Sequence, residues 1–291
     1  MFRVSAMLAL SLVMTGCGSS DDNSTAPATS PTADASLAFC YETAKPTMRD
    51  TIDHSQVGHD VLVLIDQTTT FPAELKAQVK KQISNLLKPG TRVNIGVFST
   101  YSSSAFAANA FETRIEPSYP DSKRGSAPMA GLRELDRCLA ERLASQTSSL
   151  DTALSEALDA DRKDIKFSDI MVSVREFAKR FEGAAVPTTM VIISDMLENS
   201  TAASFYANGK LRQIDPAAEL KKAAAQDMLP SLPKSKVFLL GVGLIPDDAK
   251  EKYRSVQQVE ALEKFWQEYF RSAGAASVSV GKPMLVGETI S

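Results

Sequence analysis

Residues 61–65 read VLVLI, an unbroken apolar row that ends on an acid. The same character returns at 188–194 (TTMVIIS) and at 236–242 (KVFLLGV). A short run that is apolar throughout suits a strand buried on both faces, and several such runs restrict the fold more than any other feature. Between them the period changes. In 72–87, PAELKAQVKKQISNLL, the residues Leu75, Val79, Ile83 and Leu86 follow at spacings of 4, 4 and 3. That spacing is one apolar stripe on a helix, and Pro89-Gly90 stops it. A second strand is expected at 92–99 and a third at 110–115. After a loop rich in Pro, Ser and Gly at 117–128, helical pieces are expected at 129–145 and 150–160. In 168–181, Ile170, Val174, Phe177 and Phe181 share a face. Further helices are expected at 217–228 and 256–273, and a last strand at 276–280. Buried strands separated by amphipathic helices predict an α/β fold: a doubly wound, mostly parallel sheet with helices on both faces. Ligands of such sheets gather beyond the carboxyl ends of the strands. Two places qualify: Asp66 with the threonines after it, and Ser194-Asp195.

Composition narrows the function. Of 291 residues, 44% are hydrophobic, enough for a sizeable core. The net charge of -3, from 32 basic and 35 acidic residues, offers no basic face for nucleic acid. The 2 histidines, His54 and His59, both precede the first clear strand, so histidine catalysis and zinc binding are poorly supplied.

The first residues, MFRVSAMLALSLVMTGC, carry a basic start, a short apolar stretch and small residues before Cys17. This is the pattern of a secretory signal, and the apolar run is too short for a spanning helix, which needs about 20 residues. Met14-Thr15-Gly16-Cys17 resembles the bacterial lipobox. That resemblance implies a signal peptide at 1–16 and lipidation (palmitate) at Cys17. It implies a membrane partner through the lipid. Gly18 in place of Asp favours the outer membrane. Residues 17–36 hold almost no bulky apolar side chain and are expected to form a flexible tether, with one folded domain at 37–291. Export places Cys40 and Cys138 in an oxidising compartment, where a disulfide between them is expected; two separate buried thiols are the alternative.

The stretch DQTTT at 66–70 admits two readings. Its hydroxyls start the next helix, where Thr is a common cap before Pro72, or they hold a hard cation. Magnesium wants about six oxygens near 2.1 Å. Asp66, Thr68 and Thr70 alternate past a strand end, Asp195 comes from a second strand end, and Ser168 at a helix start could complete the shell.

Asp66-Gln67-Thr68-Thr69-Thr70 resembles the Asp-x-Ser-x-Ser signature of von Willebrand factor type A domains, with Thr for both serines. Ser168-Asp169-Ile170 is similar to the segment supplying that family's metal-binding Thr, and 191–195, VIISD, to the strand ending in its last metal-site Asp. The resemblance spans about 59–280. It implies a metal-ion-dependent adhesion site holding Mg2+ (or Mn2+ or Ca2+). Thr68, Thr70 and Ser168 would bind through hydroxyls, and Asp66 and Asp195 mostly through water. It further implies a protein partner that offers a carboxylate to the ion. The sequence departs from the family in three places: Met196 stands where Gly is usual, Ser168 replaces Thr, and 117–166 is an enlarged helical insertion. That insertion, on position alone, is the expected source of partner specificity.

Two other functions compete with a non-enzymatic binding module. Asp66 also resembles the nucleophile of haloacid-dehalogenase-type phosphatases. However, their second Asp, a general acid, is Thr68 here, and Asp247-Asp248 is the only later acidic pair offered for the role. A lipid-anchored solute-binding protein would need an aromatic cleft. Aromatics are only 7%, and Phe265, Trp266, Tyr269 and Phe270 sit at helical spacing that suits core or interface.

Overall fold

The computed structural model describes residues 39–99, 107–160, 167–179, 186–208, 210–245, 253–281 and 290, all within one compact unit, Pro31–Ser291. The expected signal peptide, Cys17, the whole tether, Phe181 and Asp247-Asp248 lie outside the described residues.

Two short helices, α1 (Cys40–Thr43) and α2 (Pro46–Arg49), lead in. Then follow β1 (His59–Asp66), α3 (Ala73–Ser84), β2 (Thr91–Phe98), β3 (Ala107–Arg114), α4 (Asp121–Arg124), α5 (Met129–Asp159) and α6 (Ile170–Ala178). The chain continues through β4 (Thr188–Ile193), a two-residue hairpin of β5 (Tyr206–Ala207) and β6 (Lys210–Leu211), α7 (Pro216–Ala225), β7 (Lys236–Leu240), α8 (Val256–Ser272) and β8 (Ser277–Gly281). Six strands form one sheet in the order β3-β2-β1-β4-β7-β8. Every neighbouring pair is parallel except β2 and β3. The fold is therefore the expected doubly wound, mostly parallel one. β3 runs antiparallel because too few residues separate it from β2 for a parallel crossover, which takes a dozen or more.

Alternate residues of β1 serve opposite faces. Val61, Val63 and Ile65 pack with Leu75, Val79 and Ile83 of α3 and with Leu150 and Leu154 of α5. Leu62 and Leu64 pack with α6, with Ala223 of α7 and with the aromatic residues of α8. Each fully buried Leu or Ile contributes about 1.5–3 kcal/mol, which explains why the middles of β1 and β4, 61–65 and 190–193, are apolar on both faces, while the buried polar residues Asp60, Asp66, Thr188 and Thr189 are confined to strand ends. Gly96 of β2 is required by this packing, since a Cβ there would lie 2.3 Å from the Phe177 ring of α6. Phe265, Trp266, Tyr269 and Phe270 are fully buried, so the aromatic group of α8 is core.

Two expectations need correction. The helical pieces at 129–145 and 150–160 are one helix of 31 residues. The segment between them, Gln146 to Ser149, has polar side chains but no Gly or Pro, and the hydroxyls of Thr147 within it and Thr152 just beyond it bond backward. Thr147 donates to the Leu143 carbonyl at 2.8 Å and Thr152 to that of Ser148 at 3.1 Å. Hydroxyls so engaged do not compete for a turn. The second correction concerns helix starts. The N-cap of α3 is Pro72, without a side-chain cap bond, so the threonine-cap reading of 66–70 is not the one observed. Among the described residues, no helix is long and apolar enough to cross a membrane.

The lead-in is fastened to α5. Cys40 and Cys138 form the expected disulfide, with Cα atoms 5.8 Å apart. Buried Glu116 accepts the N–H groups of Cys40 at 3.0 Å and Tyr41 at 3.2 Å. These are orphan donors of the first turn of α1. Cys40, Tyr41 and Met48 pack on Tyr119, Leu132 and Leu135 as a third apolar cluster.

Candidate functional site

The strand order reverses between β1 and β4, because the chain builds β2 and β3 on one side of β1 and β4, β7 and β8 on the other. The carboxyl ends at this switch point carry Asp66 and Ser194-Asp195. Parallel register pairs Ile65 with Ile193, so the residues that follow emerge side by side.

Asp66 is fully buried and is the hub. Its Oδ1 accepts the Thr68 N–H at 2.9 Å and the Thr68 hydroxyl at 2.6 Å. Its Oδ2 accepts the Ser168 hydroxyl at 3.1 Å and the Ser194 hydroxyl at 2.7 Å. Thr68 and two segments more than a hundred residues from Asp66 in sequence thus place oxygens around one carboxylate. Ser168 lies just outside α6, whose N-cap is Asp169 without a side-chain cap bond. Its hydroxyl is directed to Asp66 and does not cap the helix. Thr70 stands half-buried two residues beyond Thr68 in the same turn. Ser194 was absent from the expected set. The signal for it was a hydroxyl at the last position of the apolar run, directly before an acid.

Asp195 is buried next to this group, and its Oδ1 accepts the Leu197 N–H at 3.0 Å. Burial and the neighbouring Asp66 carboxylate push its pKa up to about 7, against the Leu197 N–H and the Arg254 guanidinium. Burial also raises Asp66, while the hydroxyls of Thr68, Ser194 and Ser168 oppose the shift. Two buried neighbouring carboxylates resist joint ionisation unless a cation lies near them.

The donor set fits a hard cation. It consists only of oxygens, two from acids and the others from hydroxyls, and it excludes soft ligands. Among the described residues no group of three or more His, Cys, Asp or Glu side chains could hold a metal ion. A cation here would therefore depend on the hydroxyls of Thr68, Thr70, Ser168 and Ser194.

Met196 occupies a backbone conformation that favours Gly. Its φ is 59°, in the left-handed region. The Met196 N–H donates to the Ser194 hydroxyl at 2.9 Å, and its carbonyl accepts the Trp266 indole N–H at 2.8 Å. Gly241 closes the other side at φ +94°, where an added Cβ would meet the Ser194 carbonyl oxygen at 3.0 Å. Met196→Gly relieves about 1–2 kcal/mol of left-handed strain but empties a fully buried side-chain site, which costs about 2–5 kcal/mol. Burial wins, and the substitution should destabilise by about 1–3 kcal/mol in a urea titration. A gain in stability would show that strain dominates.

No protein-family model matches the chain, and no curated protein does. Among solved structures, an aerotolerance-related membrane protein from Bacteroides fragilis is similar at 17% identity. The match covers 78% of this chain and 94% of that one, with a TM-score of 0.37. The ArnB paralog VWA2 from Sulfolobus acidocaldarius is similar at 13% identity over 72% of this chain and 40% of that one, with a TM-score of 0.33. At these scores the likeness adds nothing to what the strand order and the site geometry establish.

Proposed function

We propose that this chain is a non-enzymatic, divalent-metal-dependent protein-binding module, resembling von Willebrand factor type A domains and displayed on the bacterial envelope by a lipid on Cys17. The observation that supports it most is the convergence of Thr68, Ser168 and Ser194 on Asp66, with Asp195 adjacent, at the switch point of the sheet. Asp66, Thr68, Thr70, Ser168, Ser194 and Asp195 would hold Mg2+ or Mn2+. Neutral hydroxyls leave such an ion residual positive charge, which attracts a carboxylate from a partner protein. The chain's own contribution is to pre-position the oxygens. Asp66 orients Thr68 and Ser168 by accepting hydrogen bonds from their hydroxyls, and Ser194 is held by the Met196 N–H. The phosphatase alternative is weakened by the same geometry, since both oxygens of Asp66 are engaged by hydrogen bonds and neither is poised for attack.

The test is thermal unfolding with a chelator and with magnesium. A ligand that binds only the native state stabilises it, by about 2.7 kcal/mol at a hundred times Kd. Wild type should melt higher in magnesium, and Asp66→Ala should not respond. An identical wild-type midpoint in both buffers would remove the metal site and leave the fold standing.

A further inference from the structure

Glu198 is fully buried three residues beyond Asp195. Its Oε2 accepts the Met171 N–H at 2.9 Å. Met171 belongs to the first turn of α6, where backbone donors lack partners inside the helix. The helix's own N-cap, Asp169, makes no side-chain cap bond. Glu198 therefore caps α6 from a different part of the chain. Alongside it, Ser168 and Asn199 exchange two backbone hydrogen bonds, each 3.0 Å. The Asp169 N–H donates to the Ser99 carbonyl at 3.0 Å and the Phe205 N–H to the Glu198 carbonyl at 2.9 Å. The loop after β4 and the start of α6 are thus one fastened unit, and the Ser168 hydroxyl leaves that unit toward Asp66.

An acid is a costly choice for this job. Burial pushes Glu198 up to about 8, with the Ser200 hydroxyl and the N–H groups of Met171 and Ile170 opposing. A residue serving only to fill the core would be apolar. One oxygen of the retained carboxyl group, Oε2, is accounted for by the Met171 N–H, while Oε1 is buried without a hydrogen-bond partner among the described residues.

We infer that Glu198 is a positioning residue: by holding the first turn of α6 it sets the Ser168 hydroxyl against Asp66, and so governs cation affinity without touching the cation. The cation part rests on the proposed metal site; the hold on 168–171 does not.

The experiment uses the full chain and two readouts. Mn2+ affinity is followed through the paramagnetic resonance of free Mn2+. Amide exchange over 168–171 is followed in metal-free protein. Glu198→Ala should weaken Mn2+ about tenfold or more, the usual scale for a residue behind the ligands. Ser168→Ala should do the same. The double variant should be no weaker than Ser168→Ala alone, because both changes remove one contribution. Glu198→Gln keeps an acceptor for the Met171 N–H and should hold affinity within about twofold of wild type, which also guards against a misfolded Ala variant. Exchange over 168–171 should rise in Glu198→Ala and not in Glu198→Gln. Full additivity in the double variant, or unchanged affinity in Glu198→Ala with a lowered melting point, would overturn the inference. Unchanged exchange would overturn it whatever the metal does. Faster exchange with no Mn2+ bound by wild type would sink the metal-site reading and, with it, control of affinity by Glu198, leaving only a structural cap.

Discussion

Replacing Cys138 with serine should lower the unfolding free energy by several kcal/mol and the melting midpoint by on the order of 10 °C. The two cysteines are 98 residues apart in sequence. Closing a loop of that size is worth up to about 4.7 kcal/mol in the chain-entropy model. The native state has little with which to compensate. α1 and α2 are four residues each, far below the length at which a helix stands alone, so the lead-in depends on the bridge, on Glu116 and on a small apolar cluster. If the lead-in frays, Glu116 loses the N–H groups of Cys40 and Tyr41 and keeps Arg142, at 3.5 Å, as its charged partner. An under-bonded buried acid adds about 1–3 kcal/mol to the loss. Melting oxidised wild type, reduced wild type and Cys138→Ser side by side checks this. Equal midpoints in all three would mean that the lead-in contributes nothing to the stability of the sheet.

The parts of the fold that sequence revealed are those where one environment acts along a whole element. β1, β4 and β7 are buried on both faces, so every residue reports the same surroundings, and a row such as VLVLI has one reading. α3 and α8 are one-sided, and their stripes show it. The continuity of α5 was hidden because Gln146 to Ser149 look like loop residues until the Thr147 hydroxyl is seen bonding back along the helix. The short α1 and α2 were hidden because four residues carry no period. At the site, Asp66, Thr68, Ser168 and Asp195 were legible because strand ends and a helix start mark them. The place of Ser194 as a further hydroxyl on Asp66 was not, since it depends on β4 lying beside β1 in the sheet. Met196 was noted only as a departure from Gly. Its left-handed backbone, held by Trp266 from 70 residues away, is a tertiary fact with no local trace.

In metal-free buffer the protein should lose stability as pH rises from about 4 to 8. Asp195 is pushed up to about 7 and Glu198 to about 8 in the folded protein, while their unfolded values stay near 3.9 and 4.3 on the model-peptide scale, each to about a unit. In the window between, the unfolded chain has released these protons and the native protein keeps them, so stability falls with pH by up to about 1.4 kcal/mol per unit for each group. The window closes near pH 7 for Asp195 and near pH 8 for Glu198. His59 acts the other way. Burial and Lys236 lower its pKa, so it adds stability as pH rises toward about 6.5 and partly offsets the fall there. Glu198→Gln cannot ionise; it should roughly halve the slope up to about pH 7, where only Asp195 then contributes, and abolish the decline above it. Magnesium should act on the other component, because it binds the ionised Asp195 and so draws the folded pKa down. With the metal saturating, the decline below pH 7 should become shallower, and the Glu198 component should remain across its whole window up to about pH 8. Urea midpoints from pH 4.5 to 8.5, with chelator and with magnesium, separate the two. Midpoints that climb steadily through this range in chelator would mean that both acids are ionised in the folded protein, and that the carboxylates at the switch point already have a compensating charge from the chain itself, with Arg254 beside Asp195 the first residue to replace in finding it.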